Sequence, residues 1–244
     1  MSSFVLVDCT AYVAGHDFTT DSNSLTLSME VDEQDNTTFG GGGWRSRTGG
    51  LKSASLSLEG FWQAGAGSID ADTFSTLGTR NEAVTVTPDG NEQETAYFAQ
   101  MTKFSYEMFG SVGEMTPFSL EAMSSEGAEG LIRGQLAKAK GNVSATGAFG
   151  SAVNLGAGAA GKYLYFVFHV FTAGTTISVK VESDNAQAFS TPADVTGATV
   201  GPITSAGGTW MTRVNASAIT DTWFRLNATA VTGTFNLAGA LAIQ

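Results

Sequence analysis

Apolar and polar positions alternate along much of this chain. From Leu25 to Val31, Leu25, Leu27, Met29 and Val31 point one way and Thr26, Ser28 and Glu30 the other. That two-residue period predicts a half-buried strand. Ser53–Glu59 repeats it, with Ala54, Leu56 and Leu58 inward, and Gly60, Phe61 and Trp62 prolong it. Further strands are predicted over Phe4–Cys9, Val84–Thr87, Ala96–Met108, Pro117–Met123 and Ile132–Ala137. Pro88-Asp89-Gly90 supplies a turn after the second of these. One helix is expected, over Ser68–Gly78: Asp70 or Asp72 can cap it, Phe74 and Leu77 share a face, and Gly78 stops it.

A Gly-, Ala- and Ser-rich stretch follows, Gly141–Gly161. After it come Tyr163–Phe171, Thr176–Glu182, Thr209–Val214, Thr222–Ala228 and Thr234–Ile243, each short, β-rich and bounded by turn residues. That spacing suggests a β-sandwich. The expected organisation is all-β with one short helix: one β domain over residues 1–141 and a β-sandwich over 142–244.

Charge sharpens the division. Residues 1–144 hold 19 acidic and 8 basic side chains, which accounts for the whole net charge of −11, whereas residues 145–244 hold 4 of each. Such asymmetry places the halves in different surroundings. It also argues against ordinary nucleic-acid binding, which needs a basic stripe. Charged residues make up only 14% of the chain, below the usual quarter, and a surface that neighbours will cover suits that deficit.

Chemistry is sparse. The single cysteine, Cys9, allows no internal disulfide and no cysteine metal cluster, and reads as a buried structural thiol. Met-Ser-Ser-Phe lacks a basic leader region, no window reaches the length of a membrane span, and folding in a cytoplasm is expected. His169 lies inside the apolar run Tyr163–Phe171 and reads as a core or interface residue; His16 has no second ligand nearby. Nucleophile-elbow, Walker and zinc-protease motifs are absent. Paired acids such as Glu182 and Asp184 lack calcium-loop spacing and read as a solvated turn. Neither an enzyme, a cofactor nor a metal site is expected.

The unusual segment is Asp35–Leu51, DNTTFGGGGWRSRTGGL. Exposing Phe39 and Trp44 forfeits burial free energy, so the loop either folds onto its own core or meets a partner. As an assembly arm, Gly40, Gly41, Gly42 and Gly43 let it bend, Phe39 and Trp44 anchor it, and Arg45 and Arg47 find acids on another copy. Trp and Arg are the residues that most often carry interface energy. Candidate acidic partners are Glu30, Asp32, Glu33, Asp35 and Glu59.

The order of an acidic strand end with Asp35-Asn36-Thr37-Thr38-Phe39-Gly40, then Trp44-Arg45, then Gly50-Leu51-Lys52-Ser53 through Gly60-Phe61-Trp62 and the helix after it resembles major tail proteins. These are the tail tube subunits of long-tailed bacteriophages. The resemblance covers roughly residues 5–137. Residues 142–244 resemble the β-sandwich extensions of some tail tube proteins, with Tyr163–Val170, the Ser183-Asp184 turn and Asp221-Thr222-Trp223-Phe224-Arg225.

The resemblance implies an N-terminal sandwich or half-barrel that closes with its neighbours into an oligomeric barrel. Six copies form a ring, and rings stack into a tube through the arm. The lumen is acidic, with Glu30, Asp32, Glu33, Asp35 and Glu59 as candidates either for it or for the arm's partners, so DNA passes without specific binding. The implied partners are the chain itself and other tail proteins: initiator or baseplate, tape measure and terminator. The location is the virion tail, assembled in the host bacterial cytoplasm, with no membrane. A trimer with pseudo-sixfold symmetry is the alternative ring. The alternative function is a carbohydrate-binding, adhesin or head-decoration sandwich, with Tyr163, Tyr165, Trp210 and Trp223 lining a sugar platform.

Overall fold

The computed structural model describes residues 9–39, 42–65, 67–125, 129–207 and 209–244, with the backbone alone at 209–212. The chain is all-β with one short helix. Its elements are β1 (Thr10–Val13), β2 (His16–Asp17), β3 (Ser22–Asp35), β4 (Arg47–Phe61), α1 (Ile69–Thr76), β5 (Glu82–Thr87), β6 (Thr95–Met108), β7 (Pro117–Ser124), β8 (Ile132–Val143), β9 (Gly147–Asn154), β10 (Tyr163–Thr172), β11 (Thr176–Asp184), β12 (Ala193–Ile203), β13 (Thr209–Asn215), β14 (Trp223–Thr232) and β15 (Phe235–Ile243). The strand expected over Phe4–Cys9 lies outside the described residues except for Cys9, a partly buried free thiol.

The fourteen-residue strand β6 organises the first half. Its first residues pair with β8 on one side and β5 on the other; from Met101 onward it pairs with β7. Two layers diverge from it, β5-β1-β2 and β7-β4-β3. They close over a core that includes Val13, Phe18, Leu56, Leu58, Val84, Met101, Phe118 and Leu120, with Ile69 of α1 beneath. The result is a half-barrel with a helix at its side.

The sheet then runs on through the second half. β8 pairs with β15, β15 with β10, and β10 with β13, giving eleven strands in all. Gly141 sits inside β8, opposite Leu237. The four-stranded sheet β12-β11-β14-β9 covers this extension and completes a sandwich. Its core takes Leu164, Phe166, Phe168 and Val170 from one face of β10, against Ile177, Val179, Phe224 and Leu226. The other face of β10 gives Tyr165 and Val167 to a third core with Ala83, Phe98, Ile132 and Leu136. Covered on both faces, β10 is apolar at nearly every position instead of alternating.

α1 is shorter than its expected span. Ser68 stands at the N-cap in place of Asp70 or Asp72, with its hydroxyl donating to the Gly65 carbonyl (2.8 Å). Asp70 and Asp72 occupy the first turn, where the helix dipole favours them. Gly78 ends the helix with φ +83°, its N–H on the Lys103 carbonyl (2.9 Å). Phe74 faces solvent at 73% exposure, and the inner face is Ile69, Asp72 and Thr73. A buried charge cluster explains this inversion. Lys103 Nζ lies 3.2 Å from Asp72 Oδ2 and 3.2 Å from Glu82 Oε2 and also donates to the Thr76 hydroxyl, while His16 Nε2 is 2.8 Å from Asp72 Oδ1. A buried ammonium needs such partners, and they dock α1 against β6.

Candidate assembly interface

β3 and β4 form one long antiparallel hairpin. At its root, Leu25 pairs with Leu58 and Leu27 with Leu56, over the half-barrel core. From Met29 outward on β3, and up to Ser53 on β4, every described residue is exposed. Pairing nevertheless continues through Glu30↔Ser53, Val31↔Lys52, Gln34↔Thr48 and Asp35↔Arg47, with a register shift between Val31 and Glu33. The ribbon leaves the body and is held by its own ladder.

Its neck is tied by side chains. The Asn36 N–H donates to the Ser46 carbonyl (3.0 Å), and the Ser46 N–H to Thr37 Oγ1 (2.9 Å). The Thr37 N–H donates to Asp35 Oδ1 (2.9 Å). Hydrogen bonding to the Thr37 hydroxyl, and then to this N–H, holds the Asp35 carboxyl below its usual range. Beyond the neck, Gly42 and Gly43 turn the chain with φ +61° and +88°, a region L-residues avoid. Gly40 and Gly41 lie outside the described residues.

The tip carries the predicted anchors in the open. Phe39 is 112% exposed and Trp44 83%. The two arginines differ. Arg47 Nε is 2.9 Å from Glu33 Oε1 on the same ribbon, both side chains about half exposed. Arg45 makes no ion pair among the described residues.

The predicted acids fall into two groups. Asp32, Glu33 and Asp35 belong to the ribbon, and Glu30 lies at its base. Glu59 lies at the far end of β4, on the solvent face of the layer β3-β4-β7-β6. Along its middle that face carries hydroxyls and carboxylates, flanked by the exposed Met123 opposite Ser55 and by Phe61 opposite Pro117. Ser57 stands opposite Glu121, and Glu121 opposite Ser105; Glu59 stands opposite Ser119, and Ser119 opposite Glu107. Ser28 and Ser55 share a hydroxyl hydrogen bond of 2.7 Å. Glu107 and Glu121 were not among the predicted acids, although alternation in β6 and β7 (Ser105/Glu107, Ser119/Glu121) carries the signal. The basic neighbours point elsewhere: Lys103 is 1% exposed in the core, and Lys52 pairs with Val31 on the opposite face.

The second half has little chemistry to offer. His169 is 1% exposed, with Nε2 and the Thr85 hydroxyl 2.8 Å apart. Burial lowers its pKa to about 3 against a small opposing effect of Asp17, so the ring is neutral. The Glu182–Asp184 segment is buried, which corrects the solvated-turn reading. Glu182 accepts from Arg225 Nε (2.8 Å) and Asn227 Nδ2 (3.0 Å) and pairs with Lys180 (3.0 Å). Asp184 accepts the N–H groups of Ala186 (2.9 Å) and Thr191 (2.8 Å). These acids are structural. Among the described residues no group of three His, Cys, Asp or Glu side chains could hold a metal ion, and no helix is long and apolar enough to cross a membrane. Of the aromatics considered for a sugar platform, Tyr165 is buried in the third core beside Tyr163, whereas Trp223 sits on the other sheet. The Trp210 side chain lies outside the described atoms.

No family model matches the chain, and no curated protein matches it. Solved structures give distant likenesses. A chain from the tail of an empty gene transfer agent particle is 18% identical, spanning 52% of this chain and 96% of that one, with a TM-score of 0.40. A chain from the sheath-tube complex of an extracellular contractile injection system is 12% identical over 55% and 92%, at 0.41. The Dit protein of SPP1, described as a hub adsorption apparatus protein of phages infecting Gram-positive hosts, is 12% identical over 97% and 99%, at 0.38. Likenesses at these identities and scores do not assign the chain to a family.

Proposed function

We propose that this chain is a structural subunit of a virion tail that polymerises into stacked hexameric rings, a tube through which the genome passes. The observation that carries the reading is the β3–β4 ribbon. It leaves the body with ordered pairing and presents Phe39, Trp44 and Arg45, which has no ion pair among the described residues, to solvent. A monomer gains nothing from holding two large aromatics in water; a second copy supplies the burial.

The middle of the β4-β7-β6 face, where Ser57, Glu121 and Ser105 stand side by side, suits the lumen. Like charge repels the phosphate backbone, and without a basic stripe there is no counterion release to hold DNA. In this reading residues 1–141 build the tube and 142–244 decorate its outside. The second half contributes no second helix among the described residues, which favours one tube domain per chain, and so six chains per ring, over a pseudo-sixfold trimer. Initiator or baseplate, tape measure and terminator proteins are the further partners, and assembly takes place in the host cytoplasm.

The test replaces residues 38–45 with Asn-Gly, a two-residue turn suited to an antiparallel hairpin. The variant is expected to keep its circular-dichroism spectrum and melting temperature and to lose tube growth. Tubes of normal length from it would end the arm reading.

A further inference from the structure

The β3–β4 ribbon has its tip at one end and a pocket at the other. The pocket, about 410 Å³, lies where β4 ends and β7 begins. Phe61, Phe109 and Pro117 wall it, and Glu59 and Glu107 stand beside them. Phe61 is 40% exposed and Phe109 64%, large apolar surface left in the open. Both glutamates are exposed, and neither has an ion-pair partner among the described residues. The floor is backbone held in the sheet: Gly60 stands opposite Phe118 in the β4–β7 ladder, the Phe61 N–H donates to the Asp21 carbonyl (3.0 Å), and the Trp62 ring rests 5.3 Å from that of Phe109.

We propose that this pocket receives the Trp44-Arg45 pair from the arm of a second copy. The proposal rests on the arm being an assembly element, and it names where the arm lands. The chemistries match one to one. An exposed indole meets aromatic walls, an arrangement worth more than its area alone. A guanidinium meets two carboxylates, none of the three ion-paired among the described residues, and desolvated Arg–carboxylate contacts are strong and directional. The volume falls within the ~300–1,000 Å³ of sites that bury a compact organic group, and it leaves room for an indole with a guanidinium beside it.

Position limits the symmetry. β4 has fifteen residues, so tip and pocket are separated by about 45 Å at ~3.3 Å per residue. A tip at one end that fits a pocket at the other can be satisfied by reciprocal exchange, which closes a twofold dimer, or head to tail, which does not close. The tube reading takes the head-to-tail form, in which each copy is both donor and acceptor and the contact repeats from copy to copy; a discrete dimer that forms no tubes would overturn it.

Charge exchange tests the proposal. Arg45→Glu alone, and Glu59→Arg with Glu107→Arg, are each expected to raise the critical concentration for assembly at least tenfold. The three together are expected to restore it to within a few-fold of the native value. All three positions are exposed, so melting temperatures serve as a control for folding. Normal assembly of the Glu59→Arg/Glu107→Arg protein, or no rescue in the triple variant, overturns the docking site. If Arg45→Glu and the Asn-Gly replacement both leave assembly unchanged, the arm reading itself falls and this proposal with it. A second measurement works without polymers. In a Cys9→Ser background, an Arg45→Cys copy is mixed with a Glu107→Cys copy under oxidation. The mixed disulfide is expected several-fold above that formed with a Thr229→Cys control on the other sheet; a yield equal to the control overturns the proposal.

Discussion

Replacing Trp44 with alanine separates the arm's contribution to assembly from any contribution to folding. The side chain is 83% exposed. A tryptophan carries on the order of 200 Å² of surface, so docking removes up to about 160 Å² from water. At ~25 cal/mol per Å² this is about 4 kcal/mol for each contact made. Interface truncations of central aromatics usually cost about 2–4 kcal/mol, the lower figure corresponding to partial burial. At ~1.4 kcal/mol per tenfold, the critical concentration is predicted to rise roughly 30- to 700-fold. The monomer loses almost no packing, and its stability should change by less than about 0.5 kcal/mol. Light scattering against concentration gives the first quantity and thermal melting of dilute protein the second. An unchanged critical concentration would refute the reasoning. So would a large fall in melting temperature, because it would mean that Trp44 packs on its own chain.

Three further outcomes follow from the interior. Lys103→Met leaves Asp72 and Glu82 buried without their ammonium and is predicted to cost about 3–5 kcal/mol at neutral pH, measured by denaturant unfolding. Burial pushes the Asp72 carboxyl up, but the His16 hydrogen bond and the Lys103 charge outweigh it and leave its pKa lowered, whereas burial leaves that of Glu82 raised. In the native protein Asp72 therefore contributes stability above its unfolded pKa that is lost as pH falls through its lowered folded value; in the variant the deficit should shrink on acidification, because protonation relieves the unpaired carboxylates, and a pH-independent deficit would count against this account. His169, with its pKa lowered to about 3 by burial, contributes stability that is complete above the unfolded value of ~6.5 and lost as pH falls from there towards 3, at up to ~1.4 kcal/mol per pH unit. His169→Gln should flatten the stability profile between pH 6.5 and 5 by about 2 kcal/mol, and parallel profiles would show that the ring is not the titrating group. Gly60→Ala places a methyl in overlap with the Asp21 carbonyl oxygen and 2.8 Å from the Phe118 ring; a loss of about 1–3 kcal/mol is expected, and an unchanged melting temperature would mean that this end of β3 yields freely.

Legibility in the sequence tracked the covering of strand faces. Leu25–Val31 and Ser53–Glu59 could be read because one face of each meets the core and the other meets water. Their continuations to Asp35 and from Arg47 could not, since a ribbon exposed on both faces has no pattern to impose. β12 was missed because only Val195, Ala198 and Ile203 of its eleven residues are buried, with Gly197 and Pro202 interrupting. β9 lies inside the Gly-, Ala- and Ser-rich stretch Gly141–Gly161, where no strand is predicted. The inward face of α1 is polar because Lys103 and His16, both distant in sequence, receive Asp72. Glu182 is buried for the same kind of reason, since Arg225 and Asn227 arrive from β14. The continuous sheet through β8 rests on a pairing with β15 nearly a hundred residues away in sequence, which no local pattern encodes. The arm was legible because its composition breaks the ordinary rules for a loop: two large aromatics and two cations among glycines. The pocket at the other end was not, because it gathers residues from β3, β4, β6 and β7.

Electron microscopy of the purified, concentrated protein tests the central claim most directly. The account predicts rings or hollow tubes with a central hole wide enough for duplex DNA and sixfold rotational symmetry. Tubes should vanish when residues 38–45 are replaced. Dispersed monomers at every concentration up to the solubility limit, in the native protein and the replacement alike, would contradict it.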